Sequence, residues 1–168
     1  MKTLVVGLGN PILGDDGIGW QIAQKLQQIK EFPSDITIDC LAIGGISLME
    51  ALIDYDRAIL IDSIVTNRVP IGTVTYYKLG DLPNLTSGHM SSAHDTSLID
   101  ALQMGRYLGA HLPQDISIVA VESQKVYEFS EDMTPAVSAA IPLALKIVQN
   151  LLIQSNPEND SQSNENSS

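Results

Sequence analysis

Short apolar runs rich in β-branched residues alternate along the chain with stretches in which apolar side chains recur every three or four positions, predicting strands and helices in turn. Lys2 to Gly7 is such a run, ending in glycines, and predicts a buried strand feeding a tight turn. Ile18, Ile22, Leu26 and Ile29 follow at helical spacing and predict a first helix that stops before Pro33. Ile36 to Cys40 alternates as a second strand. Ser47 with Glu50 three residues on predicts a capping box that opens a short helix through Leu52. Ala58 to Ile61 is a third buried strand, expected to end at Asp62.

Gly72 to Leu79 is β-rich and has no helix before it, so an antiparallel edge strand is expected. Leu98, Leu102 and Leu108 predict a helix beginning near His94, and Ile116 to Val121 predicts another buried strand. Thr134 and Pro135 suit the N-cap and first position of a long last helix striped by Val137, Ile141, Leu145, Val148 and Leu152. Strands alternating with helices imply a three-layer α/β fold: a mostly parallel twisted sheet with one antiparallel edge strand and helices on both faces.

Of the 168 residues, 44% are hydrophobic and 17% charged, enough apolar material for one sizeable core. Residues 1–153 are expected to form one domain. Residues 154–168, rich in Ser, Asn and acids, predict a solvated, disordered tail. The formal charge of −11 disfavours nucleic acid and suits a basic partner or a cation. A single cysteine, Cys40, excludes an internal disulfide or a thiolate zinc cluster and favours a reducing compartment. The opening apolar run stops at Gly7, too short for a secretory signal, and no run of about 18 apolar residues predicts a membrane span. A cytoplasmic protein with no membrane partner, and a monomer, is expected.

The candidate chemistry lies where apolar runs end. After the first strand come Gly7-Leu8-Gly9-Asn10-Pro11 and then Gly14-Asp15-Asp16-Gly17. A dinucleotide fingerprint would need glycine where Ile12 stands and would not favour two acids beside a pyrophosphate. Asp15 and Asp16 also suit a helix cap and an acid near the positive end of a helix dipole. Asp62 follows the run 58–61 at the carboxyl end of a strand, where open α/β sheets bind ligands, though it too could be a cap. His94 lies in Ser91-Ser92-Ala93-His94-Asp95, and His89, five residues earlier, competes with it.

In a parallel sheet the loops after strands one and three open on the same edge, so Asp16 and Asp62 can approach each other. Two carboxylates and an imidazole suit a divalent metal with coordination positions left open, or metal-free acid and base work. Covalent catalysis lacks support: there is no G-x-S-x-G turn, and Cys40 sits in an apolar strand.

The stretch Leu4 to Gly19, reading LVVGLGNPILGDDGIG, closely resembles the opening of the hydrogenase maturation endopeptidases. Ile61-Asp62, the Ser91 to Asp95 stretch and Phe129-Ser130-Glu131-Asp132-Met133-Thr134-Pro135-Ala136-Val137 resemble that family's later landmarks in the same order. The loop Ala42 to Ser47 fits its pattern only loosely.

The resemblance implies a five-stranded, largely parallel sheet between helices and a nickel-binding set at Asp16, Asp62 and His94, which are then also the catalytic residues. It implies an aspartic-type endopeptidase whose protein substrate is the nickel-loaded large-subunit precursor of a hydrogenase, with the nickel ion supplied by that precursor and its C-terminal extension removed. Two other families share part of this pattern. A peptidyl-tRNA hydrolase shares the Gly-Leu-Gly-Asn-Pro turn but would need an Arg-His-Asn segment soon after it. A nucleotide- or flavin-binding module would need the missing third glycine.

Overall fold

The structure is a computed structural model that describes residues 1–29, 32–83, 97–124 and 129–154. The first strand, β1 (Thr3–Leu8), is buried along its whole length and runs through a 3-10 turn at Gly14–Gly17 into α1 (Ile18–Gln27). Then follow β2 (Ile36–Leu41), α2 (Gly45–Ala51), β3 (Arg57–Ile64), β4 (Val74–Lys78), α3 (Leu98–Tyr107), β5 (Asp115–Glu122), α4 (Pro135–Ala139) and α5 (Ile141–Ile153). The sheet order is β2-β1-β3-β5-β4. All neighbours are parallel except β4, which pairs antiparallel with β5 at the edge.

The alternation of side chains along the central strands divides the core in two. Leu4, Val6, Leu8, Leu60, Ile118 and their neighbours face α2 and α3. Val5, Ile59, Ile61, Val119 and Val121 face α1, α4 and α5. This is the expected three-layer sandwich. Because β1 connects to β2 on one side and the chain then crosses from β2 to β3 on the other, the carboxyl ends of β1 and β3 form the switch point of the sheet.

Five expectations need correction. The third strand does not stop at Asp62 but continues to Ile64, because β5 extends far enough to pair with residues 62–64. The capping box at Ser47 is absent: Gly45, at φ 51, starts α2 two residues earlier, with Gly44 in the cap position, so Ser47 already lies inside the first turn. The third helix begins at Leu98 rather than near His94, capped by Ser97, whose hydroxyl accepts the Asp100 N–H at 3.2 Å. The last helix is two, α4 and α5, since Pro142 has no N–H to offer the carbonyl of Ser138. That stretch, Pro135–Ile153, is also long and apolar enough to cross a membrane by length and composition, contrary to expectation. Its buried stripe of Val137, Ile141, Ala144, Val148 and Leu152 packs against the sheet. The proposed tail beyond residue 154 lies outside the described residues.

One contact sets how closely the first turn seats on the sheet. A Cβ on Gly19 would stand 2.2 Å from the Ile61 carbonyl oxygen and 2.3 Å from that of Leu8, both backbone atoms that cannot swing aside. Replacing Gly19 by Ala is therefore expected to destabilise the fold by about 3 kcal/mol or more, at the upper end of overpacking costs. For a chain of this size that lowers Tm by about 6–12 °C, readable in a thermal melt followed by circular dichroism. A melting point within about 2 °C of the parent's would show that α1 can move away at little cost.

Candidate active site

The sequence places an acid at each of several strand ends, and the fold decides which of them meet. Asp16 lies in the 3-10 turn between β1 and α1, and its Oδ2 accepts the Asn10 N–H at 2.7 Å. Asn10 in turn receives the Ile12 N–H on its side-chain oxygen and the Leu13 N–H on its carbonyl, so the loop closes on itself. Gly9, at φ 131, allows this, because a Cβ there would lie 1.9 Å from the Asp16 carbonyl oxygen.

Asp62 is fully buried within β3. It pairs with Ala120 of β5, and the register Gly7↔Ile61 puts it level with Leu8, the last residue of β1. Two residues on from Leu60, its side chain lies on the α2/α3 face. The turn holding Asp16 contacts β3, and α1 directly after it seats Gly19 against the Ile61 carbonyl. Asp16 and Asp62 thus lie on neighbouring segments toward the carboxyl side of the sheet.

Asp15 proves different in kind. It is 2% exposed, and its two oxygens accept the Thr134 N–H at 2.7 Å and the Thr134 hydroxyl at 2.9 Å. Neither Asp15 nor Asp16 caps α1, whose cap position is Gly17 without a side-chain bond. Asp15 instead satisfies the start of α4, where Thr134 is the N-cap residue with its own hydroxyl committed elsewhere. The parallel bridge Leu13↔Ser130 fastens the same two segments, with Gly14 N–H to the Ser130 carbonyl at 2.6 Å. This long-range pairing left no sequence signal.

His94 and its competitor His89 lie outside the described residues. The third histidine, His111, is at the opposite edge of the sheet, where its ring bonds Asp56 at 3.0 Å. The backbone N–H of Lys2 and then His111 hold the Asp56 carboxyl below its usual range. A cleft of about 480 Å³ lies at that amino edge too, lined in part by Lys2, Asp35 and Asp54, away from the switch point. Among the described residues no three His, Cys, Asp or Glu side chains are grouped to hold a metal, so the described part of the expected set is its two carboxylates.

The geometry bears on the alternatives as well. The Asn10 N–H, which in a phosphate-binding loop would face the ligand, is taken by the protein's own Asp16 carboxylate. An anion is already built into that loop. Burial, and then the charge of Asp39, push the Cys40 thiol up, away from thiolate character, and its Sγ lies 3.6 Å from the Trp20 carbonyl oxygen.

A further acid was missed at the sequence level. Glu122 ends the apolar run 116–121 as Asp62 ends 58–61, is 2% exposed, and accepts hydrogen bonds from Thr66 and Asn67.

The model of a family described as hydrogenase maturation protease matches residues 20–151, a span that includes Asp62 and His94. Among curated proteins the chain is 30% identical to the hydrogenase 2 maturation protease of Escherichia coli K12, over 94% of each chain. It is also 30% identical to a putative hydrogenase maturation protease of Methanocaldococcus jannaschii, covering 84% of this chain and 88% of that one. Among solved structures, the hydrogenase maturating endopeptidase HybD from Escherichia coli superposes with a TM-score of 0.76 at 29% identity, over 93% of this chain and 94% of that one.

Removing the Asp15 carboxylate by Asp15→Ala would leave the part-buried Thr134 N–H without its acceptor, at an expected cost of about 1–3 kcal/mol. Urea unfolding measures it. A midpoint equal to the parent's would mean that the Thr134 contact contributes nothing to holding α4 against the first loop.

Proposed function

The chain belongs to the hydrogenase maturation protease family, and from that premise we propose that it is an endopeptidase that removes the C-terminal extension of a nickel-loaded hydrogenase large-subunit precursor. The observation that carries this reading is the pair of carboxylates, Asp16 and Asp62, on neighbouring segments toward the carboxyl side of the sheet, the first turn and β3.

We assign Asp16, Asp62 and His94 to gripping the nickel ion that the precursor brings with it. Carboxylates and imidazole suit a divalent ion whose other positions are held by a protein partner. The ion belongs to the substrate, and its capture fixes the adjoining peptide against the carboxyl edge. Positioning of that kind converts a slow hydrolysis into a fast one when the scissile bond is held at the attacking distance. An aspartic-type assignment follows from the same two acids, since Cys40 is pushed away from thiolate character and the sequence has no serine elbow.

The acidic balance of the chain is consistent with an incoming metal-bearing or basic surface and opposes tRNA, which is adverse to a peptidyl-tRNA hydrolase. A single half-buried cysteine suits a reducing compartment, and we assign the protein to the cytoplasm, acting as a monomer without a membrane partner.

Purified protein is expected to shorten a nickel-containing large-subunit precursor and to leave the nickel-free precursor intact, as read by gel mobility and intact mass. Equal cleavage of both forms would remove metal recognition from the reading. Asp16→Asn, Asp62→Asn and His94→Ala are each expected to slow processing by about a hundredfold or more while the circular dichroism spectrum is retained. His89→Ala is expected to process at nearly the parent rate; the reverse ranking of the two histidines would transfer the ligand role to His89.

A further inference from the structure

Glu122 is an acid buried at the end of a central strand, and the cleavage chemistry proposed above makes no use of it. By register it lies opposite Ile64, two positions beyond the pair Asp62↔Ala120. By alternation with Ile118 and Ala120 its side chain lies on the same α2/α3 face as Asp62. It is therefore the diagonal neighbour of Asp62, one step nearer the carboxyl edge.

Its bonds all go to the segment that leaves β3. Oε1 accepts the N–H of Thr66 at 2.8 Å and of Asn67 at 2.9 Å, and Oε2 accepts the Thr66 hydroxyl at 2.9 Å. That hydroxyl oxygen then takes the Arg68 N–H at 3.2 Å. Asn67 adopts φ 58, a left-handed conformation that asparagine tolerates better than most residues. The backbone completes the fastening: Ser123 N–H bonds the Ile64 carbonyl, and the Glu122 carbonyl accepts the Gly72 N–H, both at 2.8 Å. One buried residue thus pins the β3–β4 loop at its beginning and at its end.

An apolar side chain at this position would sit beside Ile64 and Ala120 without the desolvation cost of a carboxylate. It would leave the turn unfastened. We propose that Glu122 is a positioning residue for the peptidase reaction: by clasping Thr66 and Asn67 it holds the last residues of β3, Asp62 among them, in their ladder and fixes the wall beside that carboxylate. The proposal rests on the protease reading above. Its effect falls on turnover more than on binding, because Asp16 and His94 still hold the ion while a shifted Asp62 misplaces the scissile bond.

The test compares the full chain with Glu122→Ala and Glu122→Gln in processing of the nickel-containing precursor, with amide exchange at Thr66 and Asn67 followed in parallel. Glu122→Ala is expected to lower kcat by about tenfold to a hundredfold, with KM within about threefold, and to lose protection at both amides. Glu122→Gln keeps an acceptor for both N–H groups and a donor for the Thr66 oxygen, and is expected to restore protection and most of kcat. Should Glu122→Ala fail to fold, Thr66→Val removes one of the three bonds and should lower kcat in the same direction, less steeply.

A parent-like kcat in a variant that has lost amide protection would overturn the proposal. So would a Glu122→Gln variant with restored protection and no recovery of rate. If the unmodified protein leaves the nickel-containing precursor uncut, the protease reading fails and the positioning role with it. Normal processing by both parent and Glu122→Ala removes the positioning role alone.

Discussion

The seating of α1 on the ends of β1 and β3 is the contact from which the rest of the site follows. Gly19 meets the Ile61 and Leu8 carbonyls with no room for a single methyl group, and Gly9 meets the Asp16 carbonyl in the same way. Hydrogen at those positions lets a helix start lie directly on the strand ends, so the turn carrying Asp16 comes down beside the strand carrying Asp62. A larger spacing would still give an α/β sandwich with the same two cores. It would lift the turn carrying Asp16 away from β3.

Four acids gather at this one edge, and their surroundings give them different work. Asp15 is consumed by the N-terminus of α4, and Glu122 by the turn after β3. Asp16 closes its own loop through Asn10, occupying an amide that related loops offer to phosphate. Asp62 is enclosed on the central strand. Buried carboxylates of like charge raise one another's cost, and donors from the backbone offset it.

Much of the architecture was legible in the residue pattern because local physics produced it. The run Lys2 to Gly7 could only be a buried strand ending in a turn, and β4 reads as antiparallel because no helix separates it from β3. Where local chemistry had two solutions, the reading went astray: the Gly44-Gly45 pair opens α2 by backbone freedom, so Ser47 lost its capping role. The end of β3 was misjudged because an acid inside a strand looks like a terminus, although β5 reaches far enough to pair beyond it. Asp15 and Asp16 are identical neighbours, and only the arrival of Thr134 distinguishes them. Glu122 carried the same signature as Asp62, an acid closing an apolar run, and went unread because nothing nearby in the chain marks its partners Thr66 and Asn67. The placement of His94 falls outside the described residues.

The clamp between Asp15 and Thr134 joins positions 119 residues apart. During synthesis on the ribosome the first loop is made early, yet the group that secures it emerges only with the last fifth of the chain. A nascent or prematurely terminated polypeptide therefore has Asp16 but lacks the fastening of the loop that holds it. That loop gains its Thr134 fastening only after every strand of the sheet has been made.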